Sequence, residues 1–140
     1  MRQELDDLLC QRYPDIFRDR HGDPAETSMW QGFCVGDGWF DIIDRLCAEL
    51  SRQVKSGTIA PVVAVQVKEK SGYLRFYIRD HFNRGANSEA LRLIAMAQQT
   101  AERTCEACGQ PAPLRAADYG VVLRPACQAD LGVCAAEGGR

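Results

Sequence analysis

Apolar residues recur along this chain with two different periods, and the first of them predicts helices. Between Phe40 and Val54 apolar residues return every three or four positions, so this stretch is predicted to be a helix with one buried stripe. Asp37 is placed to cap the start of that helix, and Ser56 with Gly57 is placed to end it. This is the best-marked element of the chain.

Residues 61–79 change to a period of two, in which every second side chain is apolar. The alternation predicts a β-hairpin with one apolar face, turned within residues 68–72. Its apolar positions are Val63, Val65, Val67, Leu74, Phe76 and Ile78. Helical patterns also occur over residues 2–13 and from Asn87 or Ser88 onward. The predicted fold class is therefore α+β, with about three helices packed on a β-hairpin.

The C-terminal tail begins with a cysteine pair that is typical of metal sites. Cys105 and Cys108 are two residues apart, and Gly109 tolerates the positive φ that such a turn needs after its second cysteine. Thiolates at this spacing suit tetrahedral Zn²⁺, and Cys127 is the expected third ligand. The tail has few apolar residues, so we expect the Zn²⁺ to be structural.

The fourth zinc ligand is open between two residues. Asp130 lies three positions after Cys127, so on one helical turn the two side chains share a face. Cys134 is the softer ligand, but it lies about 10 Å from Cys127 along a helix and binds only if the segment is not helical. We favour Asp130. The predicted organisation is an α+β domain over residues 1–104 and a zinc-ribbon or treble-clef-like unit over residues 105–140.

Composition restricts the compartment in which the protein acts. Of 140 residues, 46% are hydrophobic and 26% are charged, which is ordinary for a globular domain with a core. No apolar run approaches the roughly 18 residues that span a bilayer, and the opening residues do not resemble a signal peptide. Seven cysteines without a disulfide framework favour a reducing cytoplasm. We expect Cys10, Cys34 and Cys47 to be buried thiols.

Charge is distributed unevenly, and the acidic part defines one candidate surface. Residues 1–56 carry 7 basic and 11 acidic side chains. Asp37, Asp41 and Asp44 are spaced to share one helix face beside Trp39, which suggests a surface that binds a basic partner. The same pattern also fits carboxylates at a solvated helix start and a tryptophan in the core.

The middle of the chain is basic and defines a second candidate surface. Residues 57–85 carry 5 basic and 2 acidic side chains. The basic and aromatic positions of the hairpin are Lys68, Lys70, Tyr73, Arg75, Tyr77 and Arg79. Such residues on the outer face of a hairpin can hold phosphates and stack a base. They can equally pair with the acidic helices of the same chain.

The hairpin, the helix after it and the cysteine pair resemble a family of small phage and prophage proteins. The similar stretches are residues 65–78, residues 104–109, residues 37–44 and residues 9–17. The second metal pair of the family is Cys-x-x-His, whereas this chain has Cys127 and Asp130. The resemblance implies a phage origin and action in the cytoplasm of a bacterial host, but it carries no activity.

No catalytic set is evident, since the chain has no P-loop, Rossmann fingerprint or HExxH motif. We therefore expect a non-enzymatic phage accessory protein that binds a host protein or complex, such as an inhibitor of a host defence complex (anti-CRISPR-like). The acidic surface would form the contact. The alternative is a zinc-stabilised regulator that binds nucleic acid through the basic hairpin.

Overall fold

The computed structural model describes residues 1–79 and 87–112, and within these ranges the fold is α+β, as predicted. It contains helices α1 (Gln3–Arg12), α2 (Phe40–Lys55) and α3 (Ser88–Ala101). Strands β1 (Phe33–Cys34), β2 (Ala64–Lys70) and β3 (Tyr73–Ile78) form one sheet in the order β1-β2-β3. Short 3₁₀ helices cover Met29–Gln31 and Asp37–Trp39. The zinc-ribbon-like unit lies largely outside the described residues.

Helix α2 carries the buried stripe that its periodicity predicted. Ile43, Cys47 and Leu50 are fully buried, and the helix ends at Lys55 just before Gly57, whose φ is 75°. The prediction that Asp37 caps this helix is wrong. A 3₁₀ turn precedes α2, and the Asp37 carboxylate instead accepts a hydrogen bond of 2.7 Å from the Arg2 backbone N–H. Because of this turn, Trp39 takes the N-cap position of α2, and its side chain forms no capping hydrogen bond.

The hairpin forms as predicted, with a two-residue turn at Ser71 and Gly72. Their φ values of 54° and 85° match the turn class that suits the twist of paired strands. A bulge between Ala64 and Gln66 interrupts the expected alternation at the start of β2. As a result Ala64 is fully buried, while Val65, expected on the apolar face, is only half-buried.

Strand β1 was not predicted from the sequence. Phe33 and Cys34 run parallel to β2 and pair with Val67 and Lys68. Two residues are too few to show a periodicity, so the pairing depends on long-range contacts. Because β1 lies beside β2, the sheet is one strand wider than the expected hairpin.

The core lies on one face of the sheet, beneath α2 and α3. Its largest fully buried side chains include Trp39, Phe76 and Leu50. Each such side chain contributes about 1.5–3 kcal/mol to the free energy of unfolding through apolar burial. α3 begins after Asn87, as predicted, and contributes Ile94 to the same core. Among the described residues, no helix is long and apolar enough to cross a membrane.

Candidate functional site

The expected acidic surface is only partly available to a partner. The Asp37 carboxylate forms an ion pair with Arg2. The Asp44 carboxylate accepts hydrogen bonds from Arg12 at 2.9 Å and from the Tyr13 hydroxyl at 2.8 Å. Partial burial, together with this hydrogen bond, raises the pKa of Tyr13 to about 12. Asp41 is exposed, so it is the clearest acidic contact position of the three.

Trp39 is a core residue rather than a surface residue. It is fully buried, and its indole N–H donates a hydrogen bond of 3.0 Å to the Thr104 carbonyl. This burial removes Trp39 from the candidate contact surface and confirms the alternative that it packs in the core. The hydrogen bond gives the indole N–H the partner that a buried tryptophan needs, so the position is explained by packing alone.

The basic residues of the hairpin, in contrast, come together on one face of the sheet. In the antiparallel register, Lys70 lies opposite Tyr73 and Lys68 opposite Arg75. Directly opposite residues of a ladder point to the same face, and their neighbours at two-residue spacing share it. Val67 and Phe76, one position away, are fully buried on the other side. The face with the basic residues is therefore the outer sheet face.

A third pair of residues extends the outer sheet face along the hairpin. Gln66 lies opposite Tyr77, and both side chains are half-buried. On β3 the face thus presents Tyr73, Arg75 and Tyr77 in alternation, with Arg79 just beyond the strand. Tyr73 and Tyr77 are the two aromatic positions that the sequence grouped with these cations. Tyr73 shares the face of Arg75 because it lies two positions before it.

Not all of these cations are equally available to a ligand. Arg79 forms an ion pair of 2.5 Å with Asp19, which partly neutralises it. The Arg75 guanidinium lies over the Tyr73 ring at 5.4 Å from its centroid, so the two side chains hold each other in place. Neither Lys68 nor Lys70 has an ion pair with any described residue. The positive charge of the outer sheet face therefore centres on Lys68, Lys70 and Arg75.

Cys34 adds an exposed thiol to the edge of the outer sheet face. It pairs with Lys68 in the parallel register, opposite in direction to the buried Phe33. The expectation that Cys34 is buried is therefore wrong. Cys47 is fully buried as expected, and Cys10 is half-buried. Cys34 was misplaced because its apolar neighbours suggested a core position, whereas the strand directs alternate side chains to opposite faces.

The first two predicted zinc ligands lie in a tight turn after α3. The Gly109 N–H donates to the Cys105 carbonyl at 2.8 Å, and the Cys105 N–H donates to the Gln110 carbonyl at 2.8 Å. Gly109 has φ of 72°, as the sequence predicted. Cys105 is fully buried and Cys108 is exposed. We call residues 105–109 the cysteine turn, and its spacing and closure fit half of a zinc site.

The cysteine turn is held against the loop that precedes α2. Glu106 is buried, and its carboxylate accepts a hydrogen bond of 2.8 Å from the Gly36 N–H. The Glu106 backbone carbonyl accepts a second hydrogen bond, of 2.7 Å, from the Gly38 N–H. Cys105 and Ala112 belong to the same hydrophobic core as the helices. The beginning of the tail therefore packs into the body of the protein.

The remaining predicted zinc ligands, Cys127, Asp130 and Cys134, lie outside the described residues. Within residues 1–79 and 87–112, no group of three His, Cys, Asp or Glu side chains is arranged to hold a metal ion. The zinc site, its fourth ligand and the domain boundary at residue 104 all stay predictions.

Comparison of the chain with known protein families, with curated proteins and with solved structures found no match. The resemblance to phage proteins thus rests on the sequence stretches given above.

Proposed function

We propose that this protein binds single-stranded nucleic acid on the outer sheet face and acts as a non-enzymatic regulator. The observation that supports the proposal best is the register of β2 and β3. It brings Lys68 beside Arg75, and Lys70 beside Tyr73, on the face opposite to the buried Val67 and Phe76. Cations beside aromatic rings on an open sheet are the groups that hold phosphates and stack bases.

In this proposal, each type of side chain contacts a different part of the ligand. Lys68, Lys70 and Arg75 supply positive charge for the phosphates. Tyr73, which is 44% exposed, supplies a ring on which a base can stack, and Tyr77 lies farther along the same strand. Bases stack on such rings only when they are unpaired, so a single strand fits this face better than a duplex.

A protein partner of the acidic surface has less support. Trp39 is in the core, and two of the three carboxylates pair with residues of α1 or its termini. A host-binding phage accessory protein stays a proposal of second rank, with Asp41 as its exposed acidic contact. A phage origin and a bacterial cytoplasm as the site of action are parts of both proposals.

Nucleic-acid binding is testable with a labelled strand of about 12 nucleotides, a length within the usual range for one such domain. The double variant Lys68→Ala/Arg75→Ala should flatten the slope of log affinity against log salt by about 1.4. The reason is that binding releases fewer counterions when two phosphate contacts are missing. Tyr73→Ala should cost about 1–3 kcal/mol of binding free energy, while Tyr73→Phe keeps the ring and the affinity. Fluorescence anisotropy over a salt series measures both effects.

The matched control is Arg45→Ala/Arg103→Ala, which removes the same charge from two exposed positions outside the sheet. This control should bind like the unmodified protein. Equal weakening by both double variants would show only a general charge effect and would contradict a site on the outer sheet face. Stronger binding to a duplex than to the single strand would contradict the stacking role of Tyr73.

Structural Zn²⁺ in the tail is the second part of the proposal. Protein purified without added metal should contain about one zinc per chain by elemental analysis, held by Cys105, Cys108, Cys127 and one further ligand. Cys108→Ser should lose most of that zinc, whereas Cys34→Ser should keep it. Loss of zinc on Asp130→Ala but not on Cys134→Ala would identify the fourth ligand. A chain without zinc, folded equally well in a chelator, would contradict the site.

A further inference from the structure

A second surface lies on the helical side of the molecule, away from the β2–β3 turn. It is a groove of about 830 Å³ between the end of α1, the last turns of α2 and the segment that enters β2. The Ala64 N–H donates to the Ile16 carbonyl at 2.8 Å, which fixes the chain after α1 against the start of β2. This backbone bond therefore joins two of the three segments that build the groove.

The walls of the groove are apolar, with side chains that remain accessible. Pro14 and Pro61 are exposed, and Tyr13 and Val54 are half-buried. Val62 and Val63 form a nearly buried floor beneath them. Proline has no backbone N–H to donate, so these walls offer apolar contact rather than strand pairing.

The rim of the groove is positively charged. Arg12, Arg18, Arg52 and Lys55 line it, and Asp15 is the only carboxylate among the described residues that do so. Three of the cations lie in the last turns of α1 and α2, where they also complement the negative helix ends. Arg18 belongs to neither helix, so the positive charge exceeds what the helix ends require.

From this arrangement we infer that the groove binds a short acidic peptide segment of a partner protein, with an apolar side chain anchored between Pro14 and Pro61. Charge complementarity carries the choice of partner. Arg12 and Arg52 already pair with Asp44 and Glu49, so the cations left for a ligand are Arg18 and Lys55, which have no ion pair with a described residue. A protein partner of the groove would thus be acidic at its contact, whereas the acidic surface suggested a basic partner.

The test is selection of a displayed random peptide library on the intact protein. We expect the enriched sequences to combine Asp or Glu with a large apolar residue. A labelled peptide synthesised from that consensus should bind at least about tenfold more weakly to Arg18→Glu/Lys55→Glu, since charge reversal repels it and low salt accentuates the effect. Ala48→Trp, which fills the groove from an exposed position of α2 without a charge change, should also reduce binding.

Arg45→Glu/Arg103→Glu carries the same change in net charge at exposed positions outside the groove and should bind the peptide like the unmodified protein. The inference would be overturned by a basic or neutral consensus, or by no enrichment at all. Undiminished peptide binding to Arg18→Glu/Lys55→Glu would overturn it as well. Binding of the anionic dye 8-anilinonaphthalene-1-sulfonate in the groove, without any enriched peptide, would overturn it in favour of a small anionic ligand. Displacement of the peptide by a nucleic-acid strand would also overturn the inference, because the cations of the groove would then belong to the nucleic-acid site of the outer sheet face.

Discussion

Replacing Asp6 with alanine should lower the free energy of unfolding by about 3–5 kcal/mol, since it leaves a largely buried arginine without its partner. Asp6 is only 5% exposed, and its carboxylate accepts hydrogen bonds from Arg20 Nε at 2.8 Å and Nη2 at 3.2 Å. It also accepts one of 3.2 Å from the Phe33 N–H at the start of β1. The substitution therefore leaves the Phe33 N–H without this acceptor and the Arg20 charge without its carboxylate, with only the Met29 and Trp30 carbonyls still accepting from Arg20 Nη1.

Urea denaturation followed by circular dichroism measures this effect. Asp7→Ala is the matched control, because Asp7 is exposed and its carboxylate accepts a hydrogen bond of 2.8 Å from the nearby Gln3 side chain. That control should change stability by less than about 0.5 kcal/mol. Asp6→Asn should fall between the two, since an amide oxygen still accepts from Phe33 but carries no charge. Equal stabilities of the Asp6 and Asp7 variants would show that the buried pair contributes nothing.

The Gly38→Ala variant should displace the cysteine turn and lower stability by about 2–4 kcal/mol, through overpacking and lost hydrogen bonds. A methyl group at Gly38 would lie 2.5 Å from the Glu106 carbonyl oxygen, and closer still to the Cys105 carbonyl oxygen and the Gly109 nitrogen. All three are backbone atoms, so no side-chain rotation can relieve the clash. The turn must move, and the bond from Gly38 N–H to Glu106 is then lost.

Gly57→Ala separates this clash from the general cost of replacing a glycine. Gly57 has φ of 75° and nothing within 4 Å of an added methyl group, so alanine there costs about 1–2 kcal/mol of backbone strain alone. Denaturation of both variants gives the difference. Alkylation of Cys105, followed by peptide mapping, should speed up in Gly38→Ala only. Unchanged protection of Cys105 would mean that the turn does not depend on its contact with the loop.

The elements that were predictable from sequence have a local physical cause. The stripe on α2 and the two apolar strands of the hairpin are visible because helix and strand place side chains at fixed periods of 3.6 and 2. The turn at Ser71 and Gly72 lies within the residues predicted for it. Its cause is also local, because the positive φ values of the turn favour particular residue types at these positions. The bulge at Val65 shows the limit of this reasoning. The Val65 carbonyl accepts a hydrogen bond of 2.8 Å from the Ser28 N–H, which is far away in the chain. A local period of apolar residues cannot indicate such a partner.

The candidate sites divide in the same way. The basic outer sheet face was predictable, because alternation along a strand fixes which side chains share a face. The acidic surface was not, because ion pairs from Arg2 and Arg12 depend on how α1 lies against the loop before α2 and against α2 itself. The sequence left Trp39 open between the contact surface and the core, because an aromatic residue fits either position, and its burial decides for the core.

The sequence by itself determined the α+β class, the positions of the main helices and the hairpin, the basic outer sheet face and the cysteine spacing. Each of these follows from neighbours within a few residues. Only the tertiary structure decided which charges are neutralised, that Asp6 is buried with Arg20, and that Gly38 packs against a turn about 70 residues away. These contacts are set by the packing of distant segments, whose distances and burial no local pattern encodes.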